Sequence, residues 1–273
     1  MRRRFSSSLL TLSAIVASSA IAFSLLAQAP ATPAAGDKTA PAGGGGAAKG
    51  KGKGKGPQRP QGPTPRLPDG HVDLSGVWNG GGPVGDLAQG LAAGETIPLN
   101  ALGKKIMASR LSKDDPEANC LPTGVPRIAP YPWRIVQTPT HIFFLFEGNI
   151  HSFRQILMNE KHPADPDPSW YGHSTGTWEG DTLVVDTVGF NDKFWFDFRG
   201  HPHSEQLHTI ERYTRTDLGT LENKVTIIDP AMYDKPFTLS FTATLRPNEE
   251  LMEYICQENN QDAAHIQGPA GTP

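Results

Sequence analysis

The stretch His173-Ser-Thr-Gly-Thr-Trp-Glu-Gly-Asp-Thr-Leu-Val-Val-Asp-Thr-Val188 decides the fold class. Both halves are rich in strand-forming residues, and Glu179-Gly180-Asp181 between them is a turn signal, so the stretch reads as a β-hairpin. A turn at Glu179-Gly180 places His173 opposite Asp186, and a turn at Gly180-Asp181 places them diagonally on one face. Both registers predict a histidine–carboxylate pair on one sheet surface, whereas a three-residue turn would separate the two.

Further strand-like segments lie on both sides of this hairpin. They are short, rich in β-branched and aromatic residues, and separated by turn residues. These candidates are Leu74–Trp78, Trp133–Thr138, His141–Glu147, Ile150–Leu157, Gln206–Arg215, Leu221–Ile228, Phe237–Leu245 and Leu251–Cys256. Other hairpin turns are predicted at Gly148-Asn149, Asp217-Leu218-Gly219 and Pro247-Asn248. One helix is predicted, capped by Asn100 and running up to Leu111.

A meander of eight to ten strands tends to close into a barrel or to fold into a sandwich. Closure removes the exposed edges that invite aggregation. The sequence therefore predicts an all-β, mainly antiparallel fold: a lipocalin-like β-barrel with one short N-terminal helix and a concave interior. A two-sheet β-sandwich is the alternative.

The first 66 residues have a different composition. Arg2, Arg3 and Arg4 precede an apolar, serine-containing stretch, which predicts a signal peptide over residues 1–29. A membrane span is the alternative, and the arginines also resemble a twin-arginine signal. Residues 30–66, rich in Ala, Pro, Gly and Lys, predict a disordered linker, 67–262 the β-barrel domain and 263–273 a disordered tail. We expect an exported protein, periplasmic or extracellular.

Charge separates the linker from the domain. Lys49, Lys51, Lys53 and Lys55 alternate with glycine, a pattern that favours a simple tether and permits weak association with an anionic surface. Beyond residue 66 there are 15 basic and 27 acidic residues, a formal net charge of −12. Such an acidic domain excludes nucleic acid as a partner, because phosphate backbones bind basic surfaces.

The chain contains two cysteines, Cys120 and Cys256. An even cysteine count in an exported protein predicts a disulfide, here between the start of the domain and its last predicted strand. Two buried thiols are the alternative.

Five segments of the domain are distinctive. They are Cys120–Arg127, Tyr131–Arg134, His162–Pro166, Trp178–Thr187 and Gly200–His203. Together they resemble a large family of secreted, functionally uncharacterised soil-bacterial proteins. The resemblance covers the domain from about residue 67 and implies no activity. Gly76-Val77-Trp78 before a meander is also similar to the start of lipocalin-type barrels, which implies a fold only.

Three groups of residues are candidates for chemistry. Asp186 can orient His173 and make it more basic, as a general acid or base requires; a solvated pair on the outer face is the alternative. His201-Pro202-His203 can offer two nitrogens to a metal, with His208 and Glu211 on opposite faces of the next strand. A solvent-facing loop is the alternative for these histidines.

The third group is the predicted ligand site. It consists of Trp133, Tyr171, Trp195 and Phe196 as apolar walls. Arg154 is expected to face inward, toward a carboxylate ligand or an internal acid. The aromatic segment from Phe190 to Phe198 predicts either a lid over a pocket or a plug in the barrel end.

Several motifs of common enzymes are absent from the sequence. It contains no Gly-x-Ser-x-Gly, no His-Glu-x-x-His, no phosphate-binding glycine loop and no Cys-x-x-Cys. We therefore expect a protein without an organic cofactor that takes a small apolar or amphipathic molecule in its interior. The alternatives are a His–Asp acid–base enzyme (an isomerase, lyase or hydrolase) and a structural protein of the cell envelope without a pocket.

Overall fold

A computed structural model describes residues 59–83, 85–127, 131–148, 152–258, 260 and 266–271. The predicted signal peptide lies outside the described residues, as do the predicted linker up to residue 58 and parts of the predicted tail. Among the described residues, no helix is both long and apolar enough to cross a membrane.

The described domain is built from strands, with one α-helix and three short 3-10 helices. The strands are β1 (Gly76–Gly80), β2 (Trp133–Gln137), β3 (His141–Phe146), β4 (Ser152–Met158), β5 (His173–Glu179), β6 (Thr182–Val188), β7 (His208–Asp217), β8 (Thr220–Ile228) and β9 (Phe237–Leu245). The α-helix is α1 (Ala101–Ser109), and the 3-10 helices are Leu87–Gly90, Ser112–Asp114 and Glu117–Asn119. The Asn100 side chain caps α1 by accepting a hydrogen bond from the Gly103 N–H at 2.9 Å, which confirms the predicted helix start.

The strands form one closed barrel in chain order from β1 to β9. β1 closes it by pairing with β2 on one edge and with β9 on the other, where Trp78 stands opposite Leu245. Eight of the nine neighbouring pairs are antiparallel. The predicted mainly antiparallel barrel is therefore confirmed, and the sandwich alternative is wrong.

Two details of the predicted meander are wrong. β4 and β5 pair in parallel, with Ile156 opposite Ser174, so residues 159–172 form a crossover segment instead of a hairpin. Leu251–Cys256 is not a strand and Pro247-Asn248 joins no hairpin. Because β8 and β1 already occupy both edges of β9, no edge remains for a further strand.

The β5–β6 hairpin has the register in which Glu179 pairs with Thr182 and Thr175 pairs with Asp186. The turn is therefore Gly180-Asp181, and Gly180 has a φ of +60°, which glycine adopts without strain. This turn and those of β2–β3 and β7–β8 lie at one end of the barrel, here called the hairpin end. The opposite end is called the far end.

Two apolar cores fill the barrel along its axis. The hairpin-end core includes Val72, Leu74, Trp78, Trp133, Phe144, Leu183 and Leu221. The far-end core includes Val125, Phe190, Phe194, Phe196, Val225, Ile227 and Leu239. Phe194 and Phe196 are fully buried, so this part of the aromatic segment plugs the far end.

The chain before β1 crosses the hairpin end. Thr64 donates a hydrogen bond to the Arg215 carbonyl at 3.1 Å, and Arg66 forms two hydrogen bonds with Asp181 at 2.9 and 2.6 Å. At the other terminus, Cys120 and Cys256 form a disulfide, as predicted. The bond ties the segment after β9 to the 3-10 helix Glu117–Asn119, and it closes a loop of 136 residues.

Candidate functional site

The barrel interior carries a charged layer between the two apolar cores. Arg154 on β4 faces inward and lies 2.5 Å from Glu211 on β7, while Tyr213 donates a hydrogen bond of 2.6 Å to the same carboxylate. Arg154 also donates to Ser174 at 3.0 Å and to Thr187 at 2.6 Å. Burial, and then the Glu211 charge, raises the pKa of Tyr213 well above its usual 10.0. The partner of Arg154 is thus an internal acid.

Little space remains around this layer. The cavity there has a volume of about 10 Å³ and is lined by Trp133, Phe144, Arg154, Glu211 and Tyr213, among others. That is about the smallest volume that holds one water molecule. The side chains predicted to form apolar walls do not surround one space. Trp133 belongs to the hairpin-end core and Phe196 to the far-end core, while Tyr171 packs between the two.

A larger cavity lies at the hairpin end, outside the filled interior. Its volume is about 720 Å³, and we call it the mouth pocket. Its lining residues are Leu67, Pro68, Asp69, His71, Gln137, Thr138, Pro139, Met158, Asn159, Thr177 and Trp178. The segment that crosses the hairpin end forms one side, and the β2–β3 turn with the ends of β4 and β5 forms the other. Ligand sites in barrel proteins are often found at such mouths.

Trp178 and His71 are the largest rings in the mouth pocket. Trp178 is partly buried against the hairpin-end core, and its ring centroid lies 5.2 Å from that of His71. Asp69 lies 3.3 Å from His71 Nδ1, and a hydrogen bond from the backbone N–H of His71 lowers the pKa of Asp69. Asn159 has a φ of +59°, a left-handed conformation uncommon outside glycine. The pocket therefore combines apolar walls with a carboxylate, an imidazole and an amide.

A second group lies on the outer face of the barrel, and we call it the histidine cluster: His162, His173, Asp186 and His208. His162 Nε2 and His208 Nε2 each lie 2.9 Å from a different oxygen of Asp186. His162 Nδ1 lies 2.8 Å from His173 Nδ1. The register of β5 and β6 puts His173 and Asp186 diagonally on this face, and the crossover segment brings His162 over them.

The hydrogen bonds of the histidine cluster determine its tautomers when the rings are neutral. His162 and His208 each donate from Nε2, because a carboxylate only accepts. Nδ1 of His162 must then accept the proton of His173 Nδ1. Burial, and then the His162 charge, lowers the pKa of His173, which favours its neutral form.

The histidine cluster is partly open to solvent. The side chain of His162 is 23% exposed and that of Asp186 is 39% exposed. Inward positions on β6 are taken by Leu183, Val185 and Thr187, so the predicted pair faces away from the interior. The structure places His173 and Asp186 on one face, as the register predicts, but on the outside of the barrel; the carboxylate contacts His162 and His208, and His173 contacts His162.

The histidines predicted as metal ligands do not act as a pair. His201 Nδ1 lies 2.6 Å from Asp197, whereas the His203 ring packs at a tilt against Phe194 with centroids 3.7 Å apart. Burial lowers the pKa of His203 to about 4, and its Nε2 has no hydrogen-bond partner among the described residues. Both rings are buried, so the alternative of a solvent-facing loop is wrong as well.

His201 instead joins two carboxylates. Ligand atoms of Asp86, Asp197 and His201 lie within 4.8 Å of one another. Asp197 accepts hydrogen bonds from the Leu87 N–H at 2.6 Å and from the His201 backbone and ring, and Asp86 caps a 3-10 helix through the Ala88 N–H. The group thus connects two segments of the chain: the start of the 3-10 helix Leu87–Gly90 and the loop between β6 and β7. Trp195 lies near this group, 5% exposed, with the Arg110 guanidinium 4.7 Å from its ring.

Sequence reasoning missed two members of the histidine cluster as partners of the predicted pair. His208 could have been found from strand register, because Ile210 stands opposite Asp186 and His208 is its diagonal neighbour. His162 lies in a proline-rich segment without periodicity, so no pattern places it over the β5–β6 hairpin. The mouth pocket was missed because residues 67–71 look like the start of a strand-rich domain and carry no cue that they cross a barrel end.

Comparisons with protein-family models, with curated proteins and with solved structures found no match to this chain. The resemblance to secreted soil-bacterial proteins therefore stays a prediction. The closed barrel is compatible with the lipocalin-like resemblance, which concerns the fold alone.

Proposed function

We propose that this protein is an exported β-barrel that binds a small amphipathic molecule in the mouth pocket. The position of that pocket at the open end of the barrel, together with its volume, carries the proposal. At about 720 Å³ it lies within the roughly 300–1,000 Å³ typical of small-molecule sites, whereas the interior cavity of about 10 Å³ has no room for a ligand. The proposed ligand site is therefore at the hairpin end of the barrel, whereas the sequence predicted a site in the barrel interior.

The lining of the mouth pocket supports a ligand with an apolar body and a polar group. Leu67, Pro139, Met158 and Trp178 offer apolar surface, and Trp178 adds an aromatic face. Asp69 is ionised, since the pKa of its carboxyl is lowered, so it favours a hydrogen-bond donor such as a hydroxyl or an amine. The ligand class is therefore a neutral or cationic amphipathic molecule.

Export is part of the proposal and has two supports. The first 29 residues have the layout of a signal peptide, and the Cys120–Cys256 disulfide is the kind of bond that persists in oxidising compartments. Mass spectrometry of the mature protein isolated from its natural host tests this step. We expect a chain that begins after the predicted signal peptide; a full-length cytoplasmic chain would contradict export.

Acid–base catalysis by His173 and Asp186 receives no comparable support. A general base works best in a site that excludes water, and these two side chains stand on the outer face of the barrel. We therefore favour a binding protein over an enzyme.

Titration with N-phenyl-1-naphthylamine, a neutral amphipathic amine whose fluorescence rises in apolar sites, tests the proposal. We expect saturable binding of one probe per chain. Trp178→Ala should weaken it about tenfold or more, since aromatic anchors dominate such sites. Phe153→Ala is the matched control, because Phe153 is 59% exposed and lies outside the mouth pocket. Equal binding by both variants, or no binding by the parent, would refute the assignment.

A further inference from the structure

Two imidazoles of the histidine cluster point a nitrogen at the same place. Nδ1 of His162 and Nδ1 of His173 are 2.8 Å apart, and the rings stand edge to face with centroids 5.0 Å apart. Both nitrogens are lone-pair donors when they carry no proton. In the hydrogen-bonded arrangement only one proton separates them, so this is a position where a cation can replace a proton.

The surroundings of His162 match those of a metal-binding histidine. Its second nitrogen, Nε2, lies 2.9 Å from Asp186, and Thr175 Oγ1 lies 3.3 Å from the same atom. Metal-bound histidines usually donate their other N–H to a carboxylate, which fixes the ring and makes it a better ligand. His208 holds the other oxygen of Asp186 at 2.9 Å, so the orienting carboxylate is itself held in place.

From this geometry we propose that His162 and His173 bind a divalent transition-metal ion between their Nδ1 atoms, with Asp186 as the residue that positions His162. The proposal is independent of the mouth pocket, because no residue of the histidine cluster lines that pocket. To bind, His173 takes its other tautomer, with the proton on Nε2, so the step needs no further reactant. Water fills the remaining coordination positions, because the side chain of His162 is 23% exposed.

The ion class follows from the ligand type and spacing. Imidazole nitrogens suit Zn²⁺, Cu²⁺ and Ni²⁺, whereas Ca²⁺ and Mg²⁺ prefer oxygen. Zn–N bonds of about 2.0–2.1 Å in a tetrahedral site place neighbouring nitrogens roughly 3.3 Å apart. The observed 2.8 Å requires the two nitrogens to part by about half an ångström and the rings to turn until both lone pairs point at the ion. Two protein ligands give modest affinity, as suits an ion that is captured and released.

The test is calorimetric titration of the full, untagged, chelator-treated protein with ZnCl₂ and with CuCl₂. We expect one ion per chain at the strongest site. His173→Ala should abolish that site, and Asp186→Asn should weaken it about 10- to 100-fold, as loss of an orienting carboxylate does. His141→Ala is the matched control, because it removes an exposed imidazole that lies outside the histidine cluster. Retention of the strongest site in His173→Ala would overturn the proposal.

Spectroscopy of the unaltered protein gives a second readout that does not depend on whether the variants fold. The electron paramagnetic resonance spectrum of the Cu²⁺ form should show coupling to two imidazole nitrogens. In ¹H–¹⁵N spectra, Zn²⁺ should shift the imidazole signals of His162 and His173 first. If the signals of other histidines move at lower Zn²⁺ while these two stay fixed, the assignment is wrong.

Discussion

Arg154 and Glu211 stand three strands apart in the barrel wall and meet inside it, with nitrogen and oxygen 2.5 Å apart and both side chains almost fully buried. Glu211→Gln keeps the shape of the side chain and removes its charge, leaving the Arg154 charge buried without compensation. We expect a loss of about 3–5 kcal/mol in the free energy of unfolding, measured by urea denaturation.

The control for this prediction is Glu222→Gln, on the outer face of β8. Glu222 is only partly buried and has no role in the interior, so its substitution should change the free energy of unfolding by less than about 0.5 kcal/mol. If Glu211→Gln proves no more harmful than Glu222→Gln, the buried ion pair does not stabilise the fold in the way argued here.

His203 makes the stability of the fold depend on pH. Because burial lowers its pKa from 6.5 to about 4, only the unfolded chain binds a proton there between those pH values. The stabilising effect is complete above pH 6.5 and is lost as the pH falls toward 4. At about 1.4 kcal/mol per pH unit, the loss approaches ~3 kcal/mol.

Denaturation at a series of pH values measures this effect. His203→Leu should have a flatter curve than the parent between pH 6.5 and 4, whereas His71→Gln, at an exposed position, should keep the parent's slope. Parallel curves for His203→Leu and the parent would show that another group causes the acid sensitivity.

The Cys120–Cys256 disulfide should stabilise the whole domain, because its loop of 136 residues contains every strand from β2 to β9. Chain entropy predicts about 4–5 kcal/mol for a loop of this length. We expect the double variant Cys120→Ser/Cys256→Ser to lose that amount in urea denaturation, and the reduced, alkylated parent to behave alike. A loss below about 1 kcal/mol would mean that the segment after β9 is joined to the barrel without supporting it.

Asp186 should hold the crossover segment against the barrel, because it receives His162 from that segment. In Asp186→Asn the charge is lost and the hydrogen bonds to two imidazoles weaken. Trypsin should then cut after the exposed Lys161 several times faster, as mass spectrometry of timed digests would show. Asp165→Asn removes a charge from the same segment without touching the cluster, and it should leave the cleavage rate unchanged.

Much of the fold could be predicted because local patterns report strands and turns. The alternation in Thr182–Val188 specifies which side chains face the core, and Gly180 supplies the positive φ that the tight turn requires. That is why β6 has the predicted bounds and why His173 and Asp186 share a face. The disulfide was predictable because an exported chain with two cysteines has one possible intramolecular pairing.

Strand pairing and the filling of the interior could not be predicted from local sequence patterns. Periodicity tells which face a residue takes but not which strand lies beside it, so the parallel β4–β5 pair was missed. The same limit applies to the interior: hydrophobic alternation is equally compatible with a hollow and with a filled barrel. The inward aromatic residues, together with the Arg154–Glu211 pair, fill the space in which a ligand was expected.

The number of strands in the barrel explains why the fold contains a crossover segment. On a circuit of the barrel, strand direction flips at every antiparallel neighbour and must be restored on return to β1, so the flips must be even in number. A closed barrel of nine strands has nine neighbouring pairs, so they cannot all be antiparallel. The parallel β4–β5 pair reduces the number of antiparallel pairs to an even eight. A parallel step obliges the chain to travel back over the outside before starting β5. A barrel with one strand fewer could alternate throughout, and no crossover would then carry the His162 imidazole to Asp186.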